Sequence, residues 1–184
     1  MREVASTYLS TTFHPTLIFR RDRYLRGGDH TSFNQEGIAA VRFTEWREDY
    51  NHQHQNVRTE NGTEYGDLPK FVNFDYVANV ARVNASTLAS LASAPAPPAN
   101  VKLLTRELEN SSTLTWMPAP GGLAADYEVL WRETSAPDWQ NSRRVGKNET
   151  RVTLPISKDN VIFALRSFDE KGHASLAIVP QPER

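Results

Sequence analysis

The stretch "DYNHQHQNVR", residues 49–58, is the densest ligand-like cluster in the chain. His52 and His54 stand two positions apart, so on an extended strand both rings would point to the same side, a spacing used in some metal sites. Two imidazoles are only two ligands, whereas a zinc site takes three or four. Taken alone, the cluster reads as a polar surface loop. A second candidate lies upstream, in "RGGDHTSFNQEG", residues 26–37. Glycine pairs cost backbone entropy and are placed where a chain turns sharply or approaches something closely, so this stretch reads as a tight loop presenting Asp29 and His30. Glu48 and Asp49 are adjacent carboxylates, and they read as a solvated loop rather than a catalytic pair.

The elements that would position these groups divide at "SAPAPPAN", residues 93–100, with three prolines between Pro95 and Pro98. Prolines at that density cannot continue a helix and favour an extended spacer, so residues 95–99 are a linker. Before it, "NFDYVANVARVNASTLASLAS" places Phe74, Val77, Val80, Ala81, Leu88 and Leu91 at spacings of one helical face. Asn73 suits its N-cap and Asp75 its first turn. Further upstream, "PTLIFR" and "IAAVRF" are of strand type, with room for a helical turn or two between them. Strand, short helix, strand, long helix is an α/β pattern but too little for a complete sheet. Residues 1–94 are therefore expected to be the last strands and C-terminal helix of a larger α/β domain.

After the linker the period becomes two. Leu114 and Trp116, then Tyr127, Val129 and Trp131, then Val161, Phe163 and Leu165 alternate with polar residues, and turn signals separate the runs. About seven short strands in residues 100–184 make an all-β sandwich.

Composition narrows the function classes. Lys and Arg number 21 against 22 Asp and Glu, a net charge of −1, so no overall field gathers nucleic acid or an anionic membrane. No apolar run reaches the length of a membrane span, and the N-terminus lacks the apolar core of a signal peptide. Cysteine is absent, so a metal would be held by His, Asp or Glu. The sequons at Asn61, Asn84, Asn110 and Asn148 are what a chain rich in Asn, Ser and Thr produces by chance.

Residues 100–184 resemble a fibronectin type III module in "PPANVKL", Trp116, "YEVLWRE" and "FALRSFDEKGHAS". The resemblance departs at Val161, where such modules usually carry the tyrosine of the corner motif. It implies a spacer or a binding surface, with a protein or a carbohydrate as partner.

The first part, "GGDHTSFNQEGIAAVRFTE" followed by "DYNHQHQNV", resembles the C-terminal part of the aminopeptidase Y type zinc metallopeptidases, relatives of leucyl aminopeptidases and glutamate carboxypeptidases. The pattern falls on Gly28, Asp29, His30, Phe33, Gly37, Ala40 and Glu45 without a gap, and closes on Tyr50 and His52. Ala39 stands for the usual proline, one residue is inserted before His52, and Asn56 replaces an Asp four residues after it.

The resemblance implies two zinc ions about 3.5 to 4 Å apart, activating a bridging water against a peptide carbonyl. Of the family's ligands only the last histidine has a counterpart here, His52, with His54 as its rival because of the insertion. Asp29, His30 and Asn56 would serve the active-site loop or hydrogen-bond to the ligand, and Tyr24 lies one residue from where some relatives place an oxyanion-binding tyrosine. The expectation is the C-terminal portion of a secreted or periplasmic zinc aminopeptidase acting on peptides, inactive on its own because one histidine cannot hold two zincs. The alternative is a non-catalytic binding or adhesion protein built on the sandwich.

Overall fold

The computed structural model describes residues 1–9, 13–18, 27–45, 47–106 and 108–183. The chain forms two compact units, Met1–Thr87 and Leu88–Arg184.

In the first unit, helix α1 (Arg2–Tyr8) is followed by the short helix α2 (His30–Gln35). Gly37, at φ 76°, ends α2. Its N–H bonds the Asn34 carbonyl at 3.1 Å and the Ile38 N–H bonds that of Phe33 at 2.9 Å, the paired bonds that satisfy the last carbonyls of a helix closed by a left-handed residue.

Strands β1 (Arg58–Glu60) and β2 (Thr63–Tyr65) form an antiparallel hairpin. Its two-residue turn, Asn61-Gly62, has φ of 49° and 78°, the type whose twist matches that of the strands. Gly66, at φ 114°, closes the hairpin against Val57: a Cβ there would stand 2.8 Å from Val57 Cα.

The strands expected at "PTLIFR" and "IAAVRF" are corrected: residues 15–18 and 38–43 carry no strand. A strand exists through the ladder it makes with a neighbour, and these apolar runs have no partner strand among the described residues. Leu17, Ile18, Ile38 and Val41 are instead exposed.

Helix α3 (Phe74–Ser93) forms where the apolar spacing requires it. The Asn73 side chain caps it, accepting the Tyr76 N–H at 3.0 Å, as a short polar residue at that position should. The apolar face read from the sequence is nonetheless exposed, at Phe74, Val77, Leu88 and Leu91. Val83 and Thr87 are buried instead, and at about 100° per residue they lie roughly a third of a turn round the helix. Polar residues, Asp75, Asn79, Arg82, Ser86 and Ser90, fill the remaining sector.

Among its described residues the second unit holds seven strands: β3 (Ala99–Leu104), β4 (Ser112–Met117), β5 (Asp126–Glu133), β6 (Asn141–Gly146), β7 (Arg151–Leu154), β8 (Val161–Phe168) and β9 (Gln181–Glu183). They form two sheets, ordered β7-β4-β3-β9 and β6-β5-β8. The last stretch serves both: Ala174 and Ile178 bridge to β8, and β9 then runs parallel to β3.

The core between the sheets contains Leu114, Trp116, Tyr127, Val129, Phe163 and Leu165, with Trp131 and Val161 packed at its edge. Fully burying side chains of this kind stabilises by about 1.5–3 kcal/mol each. Tyr127 sets its ring edge-on to Trp116, with centroids 5.7 Å apart, and its hydroxyl accepts the Ala119 N–H at 3.1 Å. On the opposite side of β5, Glu128 lies in register between Arg144 of β6 and Arg166 of β8, with Arg166 Nη2 at 2.7 Å and Arg144 Nε at 3.5 Å.

Candidate functional site

The loop carrying the histidine cluster turns rather than extends. Asp49 starts the turn: its Oδ1 accepts the Asn51 N–H at 3.0 Å and its carbonyl accepts the His52 N–H at 3.1 Å, the local bonding by which Asp nucleates turns. The loop is tied to the hairpin by the Gly66 N–H, which donates to the Asn51 carbonyl at 2.9 Å. Glu48 holds it from within, accepting from Thr44 at 2.9 Å and Gln53 at 3.2 Å.

This turn fixes His52. Its Nδ1 stands 3.2 Å from Asp49 Oδ2, and its ring lies flat on Phe71, with centroids 3.6 Å apart and planes 11° from parallel. Phe71 is delivered by the 3-10 turn Pro69–Phe71, whose first residue is preset for that geometry. Beside it, Lys70 Nζ lies 5.1 Å from the Phe71 centroid and pairs with Glu64 at 2.6 Å.

The Asp49 carboxylate thus faces the Nδ1 edge of the ring. A carboxylate beside one ring nitrogen is an arrangement by which proteins orient a metal-binding imidazole. The His52 side chain is 28% exposed.

The remaining sequence candidates lie elsewhere. His54 is exposed and adopts a left-handed backbone at φ 53°, so the strand alternation that would aim it alongside His52 does not hold. Asn56 is exposed, and its carbonyl receives Arg58 Nη1 at 3.4 Å; the partner of the His52 ring comes from position 49 instead. Asp29 occupies the N-cap position of α2 without a side-chain bond to the helix.

His30 opens that helix, with Nδ1 buried and without a hydrogen-bond partner. Gly28 is explained by it: a Cβ there would meet His30 Nδ1 at 3.1 Å. Tyr24 lies outside the described residues. Asp49 and Phe71 escape a reading by period because a turn brings them to the imidazole; an Asp three residues before a His is the visible signal.

Among the described residues no three His, Asp or Glu side chains are grouped to hold a metal ion. One imidazole with its carboxylate fits the role of a single ligand. It does not fit a two-zinc centre by itself.

Comparison with known proteins supplies the context. A "Probable zinc metalloprotease" of Pyrenophora tritici-repentis is 49% identical over 173 residues, which is 94% of this chain and 36% of the relative. Its namesake in Leptosphaeria maculans is 48% identical over 180 residues, 98% of this chain and 41% of the relative, and that of Pyricularia oryzae 48% over 177. The chain is similar to proteins named probable zinc metalloproteases along nearly its whole length. It spans little more than a third of the length of these relatives.

No family model matches. Among solved structures, an Fn3-like protein from Clostridium thermocellum aligns with 50% of this chain and 97% of its own at 22% identity and a TM-score of 0.40. The fn3 domain of human collagen alpha-1(XX) aligns with 49% of this chain and 87% of its own at 21% identity and 0.38. The β-sandwich stands on its own strand order and core. No described helix is long and apolar enough to cross a membrane.

Proposed function

We propose that this chain is the C-terminal portion of a zinc-dependent aminopeptidase of the aminopeptidase Y type, contributing His52 as one metal ligand and carrying a fibronectin III-like module behind it. The observation that carries the reading is the Asp49–His52 pair. A solvated loop histidine has no need of a carboxylate beside Nδ1 and an aromatic face against its ring, whereas a ligand held ready for a metal needs its plane fixed. The similarity to proteins named zinc metalloproteases supports the same reading. In it, the zinc pair supplies an activated water when bound, and this chain's part is to present Nε2 in a fixed direction.

Alone, the chain is inactive in this reading, since a two-zinc centre needs a general base and further ligands from elsewhere. The test joins the remainder of the Pyrenophora tritici-repentis relative to this chain and measures bound zinc and release of N-terminal residues from peptides. Zinc content and hydrolysis are expected to fall together in His52→Ala and to persist in His54→Ala. Retention of both in His52→Ala rejects the assignment.

A further inference from the structure

We infer that the outer face of the β7-β4-β3-β9 sheet carries a groove that binds a carboxylated oligosaccharide. The groove lies wholly within the second unit, and nothing in the inference depends on the zinc peptidase reading.

Register builds the floor. Val101, Leu103, Leu114, Val152 and Leu154 of this sheet face the core, so the residues alternating with them turn outward. Arg151 pairs with Thr115, and Thr115 in turn with Lys102. Neighbouring strands stand about 4.8 Å apart, so a cation, a hydroxyl and a second cation follow one another along a line of roughly 10 Å. Beside that row Thr153 pairs with Thr113, their hydroxyls 2.8 Å apart. Two loops raise the walls: Arg106, Glu109 and Ser111 come from the β3–β4 connection and Lys158 from the segment after β7. Together they close a groove of about 550 Å³ over Arg151, Thr113 and Thr153, a size at which small-ligand sites occur.

Charge says what fills it. On the outer face of the other sheet the arginines are already neutralised: Arg166 and Arg144 close on Glu128 at 2.7 and 3.5 Å, and Arg144 also meets Asp126 at 2.8 Å. Lys102, Arg106 and Arg151 have no ion-pair partner among the described residues. Of the carboxylates in the groove, Glu109 accepts from the Ser111 hydroxyl at 2.7 Å and Glu183 belongs to the edge strand β9. Two open guanidinium forks suit carboxylates, which they bind in pairs of charge-assisted hydrogen bonds. The hydroxyls of Thr113, Thr153 and Ser111 suit the hydroxyls of a sugar. Among the described lining residues none is aromatic and only Leu104 is apolar. A neutral sugar ring therefore finds no flat face to stack on, and a peptide no pockets for apolar side chains. A sugar chain that carries carboxylates needs neither.

Titration calorimetry on the full chain tests this with a short oligogalacturonate, a neutral cello-oligosaccharide of equal length and oligoglutamate. The oligogalacturonate is expected to bind, the neutral chain at least tenfold more weakly, and added salt to weaken the first and not the second. Arg106→Gln and Arg151→Gln together should lower the affinity at least tenfold. Arg143→Gln, at an exposed position of β6 in the other sheet, should leave it unchanged. Arg106→Gln alone, on a loop, keeps the test valid should Arg151→Gln disturb the sheet. Absence of binding at millimolar oligogalacturonate overturns the inference, as do equal affinity for the neutral chain and binding that both arginine variants leave intact. Oligoglutamate binding more tightly than the sugar would assign the groove to an acidic polypeptide and reject the saccharide.

Discussion

Asp49 Oδ2 lies 3.2 Å from His52 Nδ1, and the same carboxylate accepts the Asn51 N–H through its other oxygen. One side chain thus shapes the turn and orients the ring it carries. In a chain joined to the remainder of a relative, and with His52 a zinc ligand as proposed, Asp49→Ala is expected to weaken zinc binding by about 10- to 100-fold, as loss of the group that orients a liganding ring does. Asn56→Asp should leave affinity unchanged. Competition against a chelator measures both, and an effect at 56 with none at 49 would return the partner role to the later position.

Glu128 is flanked in register by Arg144 and Arg166, and it is nearly buried, with Arg166 bonded through both Nε and Nη2 at 2.7 Å. Removing Arg166 leaves the buried Glu128 carboxylate with only the longer Arg144 contact, at a cost of about 1–3 kcal/mol. Arg166→Met should therefore lower the urea midpoint markedly. Arg166→Met with Glu128→Leu should recover most of the loss, because both charges then leave the interior together. Equal destabilisation in the double variant would show that packing of the arginine stem, not charge, is what matters.

Two glycines with positive φ separate strain from space. Gly37 has nothing within 4 Å of a built Cβ, so Gly37→Ala bears only the left-handed backbone penalty, about 1–2 kcal/mol. Gly66→Ala bears a backbone penalty and a clash with Val57 Cα at 2.8 Å, and it should loosen the hairpin that anchors the His52 loop through Asn51. Thermal unfolding is expected to show the larger loss at Gly66. A smaller loss there than at Gly37 would mean the hairpin yields without disturbing the unit.

What is legible in the sequence follows from period and chemistry. Leu114, Trp116, Tyr127, Val129, Phe163 and Leu165 alternate and all reach the core, since a half-buried strand leaves a period of two whatever its partners. Asn73 reads as a cap because capping is local. The strand-like runs at residues 15–18 and 38–43 mislead because strands depend on neighbours, which apolar content alone does not specify. Asn61-Gly62 is a hairpin signal that its reading as a sequon obscures. The partners of His52 are not legible by period, since spacing on an imagined strand says nothing once Asp49 folds the chain into a turn; the Asp three residues before the His is the one visible sign.

The turn after β8 carries a pH dependence that geometry supports. Burial by itself would raise the Asp169 carboxyl, but hydrogen bonds from the His173 ring and backbone and from the Lys171 N–H, with the attraction of His173, hold it below its ordinary value of 3.8. The ring bond is 2.7 Å, and the Asp169 N–H in turn donates to the His173 carbonyl at 3.1 Å.

A carboxyl whose folded value is depressed contributes stability that is fully present above its unfolded value and is lost as pH falls through the folded one. The Asp169–His173 turn should accordingly stay closed from neutral pH down to about pH 4 and open below it, ahead of the sandwich core. Amide exchange of Asp169 and His173 between pH 6 and pH 3, corrected for intrinsic rates, is expected to show protection lost over the lower part of that range, and Asp169→Asn should remove the dependence. Protection that persists unchanged down to pH 3 would show that the carboxylate does not control the turn.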